Sequence, residues 1–396
     1  MSEKVLGIAP KDRLRFLESS RKRKMARSVH AYMRGNTLKF YEWLEGGAGK
    51  SLPTGPPVWI CGDCHVGNLG PVADVDGKVE IEIRDLDQTV VGNPAHDLIR
   101  LGLSLATAAR GSNLPGVTTA HMMEHMVRGY ERALSAPRSS AKTAEVAPIE
   151  RVMQMALKRR WKHLAEERIE DATPKIPRGR RFWALEANER TAIDELFANE
   201  EVQELVRHLH RDDKGAKVRV LDAAYWMKGC SSLGRLRYAV LVGVGKKAAM
   251  RHALIDIKEG VEAAAPAMEK REGDFAERVV MGARALSPFL GERMLAATLL
   301  RKPVVMRELM PQDLKLEIEQ LTCNDAVAVA EYLAGVVGKA HARQMNVGAR
   351  KRWRAELQRN RPKSLDAPGW MWGAVVDLVA SHEVAYLEHC RRYALV

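Results

Sequence analysis

The spacing of apolar positions changes several times along the chain, and each change marks an element. Positions 11–46 repeat at three- and four-residue intervals and predict helix, closed by the glycines of "LEGG". "SLPTGPP" at 51–57 interrupts that period as a linker. "VWICGD" and "VEIEIRDLD" then read as short strands flanking a loop, with "DVDGK" at 74–78 as the hairpin turn between them. From Pro94 to about Leu134 the helical period returns as two helices separated by "GSNLPG" at 111–116. Residues 135–215 are charged, broken by Pro174 and Pro177, and carry no clear period. Residues 216–260 switch to strand, Gly-bounded turn, strand, turn, strand. Helices follow over about 273–287 and 291–300, then a strand at 303–309, a long amphipathic helix at 325–345 and a helical tail from Trp370. No internal repeat is evident. The fold class is α+β, a small sheet-rich block within a largely helical chain.

With 396 residues the chain exceeds one comfortable core, so two lobes are expected. No apolar run approaches eighteen residues, which argues against a membrane span. The start, "MSEKVLGIAPKDRLRF", lacks a charged-then-apolar leader, so the expected location is cytoplasmic. The formal charge of +13 sits in clusters, "RKRK" at 21–24, "KRRWK" at 158–162, "RGRR" at 178–181 and "ARKRWRAELQRNRPK" at 349–363. Such a surface suits anionic partners: nucleotides, phosphorylated metabolites or nucleic acid. For any single cluster the favoured reading is a solvated helix face, several being balanced by nearby Glu.

"CGDCHVGN" at 61–68 has three incompatible readings: a redox or zinc pair, a c-type haem attachment motif, or the D-x-H-x-x-N of a phosphotransferase loop. Five cysteines at 61, 64, 230, 323 and 390 make no disulfide framework, and no second C-x-x-C or H-x-x-x-H completes a zinc site. Haem attachment normally requires export. The third reading is therefore the one to pursue.

Phosphoryl transfer needs a carboxylate to orient the attacking group, oxygen ligands for Mg²⁺, a cation on the phosphates and backbone amides to cover them. Asp63 supplies the first, and Asn68 a neutral oxygen on the same loop. Asp85 ends a strand, and Asp87, two residues on, projects to the same side. A hairpin returns this acidic pair to the level of the first loop. In the sheet-rich block, Gly229-x-x-x-x-Gly234 lies between two strands with Ser231 and Ser232 at the turn, a loop suited to phosphate oxygens. It is not a Walker loop, because Arg235-Leu236 and a strand follow. In "HALIDIKEG", Ile255 and Ile257 share one face while Asp256 and Lys258 share the other; Lys258 is the candidate phosphate-binding cation. Glu277, or alternatively Glu269, is its candidate helix-borne partner.

The order is unusual. Protein kinases and aminoglycoside-type phosphotransferases run Gly-rich loop, Lys, Glu-helix, hinge, long helix, catalytic loop, metal Asp. Here the loop and metal Asp come first, while "GKAHARQM" closes a long helix late in the chain. A circular permutation between that helix and the loop reconciles the two orders, with the hinge at Glu308, Leu309 and Met310.

"CGDCHVGNLG", "IRDLDQTVVGNPAHDLIRLGLSL", "KGCSSLGRLRYAVL", "IDIKEG", "ERVVMGARAL", "VMREL" and "GKAHARQM" together resemble the bacterial domain-of-unknown-function family 2252 (DUF2252) over roughly residues 20–345. The resemblance implies a two-lobed, protein-kinase-like fold in permuted order. Its divisions would be 1–50 helical, 51–215 with catalytic loop and metal Asp, 216–310 β-rich and nucleotide-binding, and 311–396 completing the helical lobe. It implies Asp63 and His65 in the catalytic loop, with His65 an orienter or a satisfied buried histidine. Asn68, Asp85 and Asp87 would be metal ligands, and Asp97 of "GNPAHDL" an anchor for the loop. Arg34 in "MRGN" matches too, as an anion contact or a local cap. Gln88, Cys230 and Met281 depart from the family pattern, which unsettles the phosphate loop and the partner of Lys258.

The function expected is ATP- and Mg²⁺-dependent phosphotransfer to an acceptor the sequence does not name. The alternatives are AMP transfer by an inverted nucleotide, non-catalytic nucleotide sensing, and nucleic-acid binding through the basic clusters.

Overall fold

A computed structural model describes residues 8, 10–135, 146–159, 175–209, 216–228, 234–245, 250–269, 272–314, 321–359 and 367–393. The predicted helix over 11–46 is divided into α1 (Arg13–Met25), α2 (Val29–Gly35) and α3 (Thr37–Glu45). The breaks are cap-driven. Ser28 accepts from the Ala31 amide at 3.1 Å and Asn36 from the Lys39 amide at 3.3 Å, each starting a new helix.

Strand β1 (Val58–Ile60) pairs with β4 (Val90–Gly92), not with the strand after the acidic turn. The hairpin across 74–78 joins β2 (Leu69–Ala73) to β3 (Val79–Ile83), and Leu69 lies opposite Ile83. Gly77 takes φ +82° and the Asp74 carboxylate accepts from the Asp76 and Lys78 amides, both at 2.8 Å. Next come α4 (Pro94–Gly111), α5 (Gly116–Ser135), α6 (Ala147–Lys158), β5 (Phe182–Trp183), α7 (Ala187–Ala198) and α8 (Glu200–Leu209).

The predicted three-stranded run is β6 (Val218–Trp226), β7 (Arg237–Val244) and β8 (Arg251–Glu259). After α9 (Phe275–Leu286) and the short α10 (Pro288–Gly291), the expected helix at 291–300 is instead β9 (Met294–Leu299), paired with β10 (Lys302–Glu308). Leu300 and Arg301 both have positive φ, 51° and 62°, forming a two-residue reversal that matches strand twist without the usual Asn-Gly signal. The chain ends with α11 (Cys323–Ala342), α12 (Val347–Gln358) and α13 (Gly369–Tyr393).

The six-stranded antiparallel sheet has the order β5-β6-β7-β8-β10-β9. Alternation along β8 sends Ala253, Ile255 and Ile257 to one core and Leu254 to the opposite face. The first core extends beyond 216–310, because Leu17 of α1, Trp183, Ile193, Phe197 and Val206 pack into it. Each fully buried aliphatic there contributes roughly 1.5–3 kcal/mol. Helix α9 belongs to the other side: Ala276, Val279, Val280 and Leu286 join the helical core with Ile60 and Val90. Packed on β9 and β10 of the sheet and on β1, it ties the sheet to the loop after β1. Among the described residues no helix is long and apolar enough to cross a membrane.

Candidate active site

The loop after β1 is held from beneath by one carboxylate. Asp97, in the first turn of α4, accepts from the Cys61 amide at 2.7 Å and the Gly62 amide at 3.0 Å. Its second partner is His341 Nε2 at 3.2 Å, brought by the end of α11. His341 in turn meets the Tyr130 hydroxyl at 2.9 Å, and the Trp353 indole donates to that hydroxyl at 3.1 Å. Gln344 clamps β1 directly, accepting from the Trp59 amide at 2.7 Å and donating to its carbonyl at 3.0 Å. The buried polar side chains of this relay, Asp97, His341, Tyr130 and Trp353, are thus linked to one another, as burial requires. Gly62 sits at φ +74° with the Gln88 carbonyl where a Cβ would stand, so only glycine fits there. Cys61 and Cys64 are buried thiols of the core, 0% and 1% exposed.

Asp63 is buried and faces Arg100, whose Nε and Nη2 both reach Oδ1 at 2.8 Å. Burial raises its carboxyl above the ordinary range against the pull of Arg100. Arg100 is fully buried and also donates to the Met33 carbonyl at 2.7 Å. It lies in "HDLIRL", one helical turn after Asp97; a buried arginine in an apolar helix was the available signal, and it needed Asp63 to interpret it. His65 Nε2 stands 3.9 Å from Asp63 Oδ2. Burial, then Arg34, Arg100 and His30, hold the His65 imidazole well below its usual pKa, so it stays neutral. Asn68 is buried, donates to the Asp63 carbonyl at 3.0 Å, and its own carbonyl accepts from the Arg84 amide at 2.7 Å. That last bond sets Asp85 beside the loop.

Asp85 and Lys258, 173 positions apart, meet across a cleft: Lys258 Nζ is 3.5 Å from Asp85 Oδ1 and also pairs with Asp87 Oδ2. The cleft is lined by Asp85, Asp87, Asp256, Lys258, Arg307 and Arg84, with Val279, Met294 and Val305 among its apolar walls. The Asp85 side chain keeps 43% of its exposure, opening onto this space, while Lys258 keeps 12%. Burial alone would raise both carboxyls. At Asp85 the charges of Lys258, Arg307 and Arg237 win and hold it well below the usual range; Asp87 is raised by burial and by Asp85.

Deeper on the same face, Asp256 is bound by Arg237 at 2.9 and 2.6 Å and by Arg307 at 3.4 Å. The face assigned to Asp256 and Lys258 is therefore a charged cleft wall. Arg307 was not singled out in the sequence, although its alternation with Val305 places both on this wall.

Several sequence-derived residues stand elsewhere. Glu277 is exposed and closes the capping box of α9, accepting from the Asp274 amide at 2.9 Å, so it is not the partner of Lys258. Glu269 is likewise exposed. The carboxylates on Lys258 are Asp85 and Asp87. Helix α9 reaches the site through Arg278, which donates to the Asp87 carbonyl at 2.8 Å, the Val261 carbonyl at 2.7 Å and the Thr89 carbonyl. Glu308, Leu309 and Met310 do not line the cleft. The Glu308 carbonyl accepts from Arg293 at 2.9 Å and the Leu309 amide donates to Leu254 at 2.9 Å, so these hinge groups already have protein partners. The Met310 amide faces Asp313 at 3.4 Å. Gly234 holds φ +96° at the entry to β7, whereas Gly229, Ser231 and Ser232 lie outside the described residues. Among the described residues, no three His, Cys, Asp or Glu side chains are grouped to hold a metal.

The mixed α+β architecture and this cleft accompany a clear family match. Residues 13–392 match the family described as "Uncharacterized protein conserved in bacteria (DUF2252)", and the chain belongs to it. No curated protein matches the chain. No solved structure matches it either.

Proposed function

We propose that the protein is an ATP- and Mg²⁺-dependent phosphotransferase with a kinase-like fold in circularly permuted order. The observation that carries this reading is the meeting of Lys258 with Asp85 and Asp87 at one cleft. Support comes from the element order: a strand pair turning at Gly234, the third strand β8 bearing the lysine, helix α9, a hairpin and the long α11. The end of α11 then lies against β1 through Gln344, where the permuted connection would fall.

The donor set fits the group. Asp85, Asp87 and Asn68 are hard oxygen donors of the type Mg²⁺ takes, with few protein ligands needed when phosphates supply the rest. When bound, Mg²⁺ supplies neutralisation of the triphosphate charge. Lys258 exchanges its carboxylate partners for phosphate oxygens. Asp63, oriented by Arg100, faces the acceptor's hydroxyl, and its raised carboxyl is suited to accepting a proton there.

A second reading, transfer of AMP from an inverted nucleotide, is favoured by one feature. Asp256 and Arg307, with Arg237 behind them, put charge on the cleft wall beside the apolar Val279, Met294 and Val305. A charged wall accommodates phosphates better than an adenine ring.

Calorimetric titration with ATP in Mg²⁺ tests the common ground. Wild type binds, whereas Asp85→Asn and Lys258→Met each weaken binding by about tenfold or more, the value of one charge-assisted contact. Unchanged affinity in both variants overturns the reading. Label from the γ-position in the product identifies phosphoryl transfer; label from the α-position identifies AMP transfer.

A further inference from the structure

A second charged cluster lies beside Asp63, on the side of α2. His30 and Arg34 are four residues apart and share one face of that helix. The Arg34 guanidinium packs on the loop at Gly67, where a Cβ would stand 2.9 Å from Cζ. It is half-buried, and among the described residues it has no hydrogen bond or ion pair. His65 comes from the loop itself and Arg100 from α4.

Three nitrogens from three elements have no hydrogen-bond partner: His30 Nδ1, His65 Nδ1 and Arg100 Nη1. His65 is 3% exposed and Arg100 is 0% exposed. An orphan donor at such depth costs roughly 1–3 kcal/mol, and three of the ten orphan side-chain atoms among the described residues fall in this one neighbourhood. The groups are electrostatic neighbours: burial, then Arg34 and Arg100, lower the part-buried His30 to about 4, and the same two guanidiniums add to the effect of burial on His65. Asp63 is paired with Arg100, and Asp85, which also acts on His65, is itself paired with Lys258, so the two guanidiniums leave a net positive charge here. Neutral imidazoles add N–H donors without adding charge.

We propose that His30, Arg34, His65 and Arg100 form an oxyanion site beside Asp63 that takes a phosphate-class group. A dianionic tetrahedral oxyanion suits this set because it accepts from guanidinium and imidazole donors arriving from different directions. The cluster is distinct from the Lys258 cleft, whose lining includes none of the four residues. Because it adjoins Asp63, the group it holds belongs to the acceptor, which makes the acceptor a phosphorylated or similarly dianionic small molecule. That last assignment rests on the phosphotransferase reading; binding of the oxyanion does not.

The experiment uses inorganic phosphate as probe, with thermal unfolding and calorimetry on the full chain. Wild type and Lys258→Met are expected to be stabilised by phosphate in a concentration-dependent manner. Arg34→Gln should bind phosphate about tenfold more weakly or worse, Arg34→Lys should recover part of the loss, and both should bind ATP in Mg²⁺ like wild type. Equal phosphate affinity in wild type and Arg34→Gln overturns the site. So does loss of phosphate binding in Lys258→Met, which would place the ion in the nucleotide cleft, and so does an absence of any phosphate response in wild type. If phosphate binding depends on Arg34 while no protein binds ATP, the oxyanion site stands and the phosphotransferase reading falls.

Discussion

Asp85 and Asp87 stand two positions apart, yet their carboxyls shift in opposite directions: Lys258, Arg307 and Arg237 outweigh burial at Asp85, whereas burial and the Asp85 charge prevail at Asp87. Asp256 shows what such a balance is worth. Burial would raise its carboxyl, but Arg237 and Arg307 outweigh burial and hold it well below the usual range. Replacing it with Asn leaves the buried Arg237 and the half-buried Arg307 without their carboxylate. Asp256→Asn is therefore expected to lose about 3–5 kcal/mol at pH 7 in urea unfolding. A depressed folded-state carboxyl stabilises above the unfolded pKa near 4 and loses that contribution as pH falls further, so Asp256→Asn should also flatten the acid limb of the stability curve. His30 and His382 add an earlier limb. Both are lowered to about 4, chiefly by burial, so below about 6.5 the unfolded chain binds protons that the folded chain refuses. Stability should fall between pH 6.5 and 4, by up to ~1.4 kcal/mol per unit for each histidine. A flat urea midpoint across that window would contradict their burial as neutral groups.

At the scale of elements, α9 decides how the sheet meets the loop. Gly282 lies against Thr89, whose hydroxyl donates to the Ile60 carbonyl at 2.6 Å, and a Cβ there would collide with the Thr89 side chain. Gly282→Ala raises helix propensity but forces α9 away from β1. A net destabilisation of about 1–3 kcal/mol is expected, together with weaker nucleotide binding. Stabilisation, as propensity alone would give, contradicts this packing. The sequence made α9, α4, α5, α11 and β6–β8 legible because each carries a sustained period over many residues. It misled where local signals were weak. The reversal at Leu300-Arg301 lacks glycine, and "ERMLAATLL" has an apolar run that fits helix or strand equally. Glu277 looked like a lysine partner because helix position alone cannot distinguish a buried carboxylate from a capping one. Asp274 ahead of it was the capping-box signal.

Over the whole molecule, the residues that converge are written far apart: Asp63 and Asp85 early, Lys258 in the sheet, His341 and Gln344 late. Motif spacing could nominate Asp85, Lys258 and Asn68, and the cleft does bring Asp85 to Lys258. It could not nominate Arg100, Arg307 or the Arg237–Asp256 pair, because their roles exist only once three elements are packed. The most direct measurement is a crystal structure with a non-hydrolysable ATP analogue and Mg²⁺. The expected result places the triphosphate between Lys258 and Asp85, with the metal on Asp85. An analogue bound in another cavity, with Lys258 still paired to Asp85 and Asp87, would contradict the account.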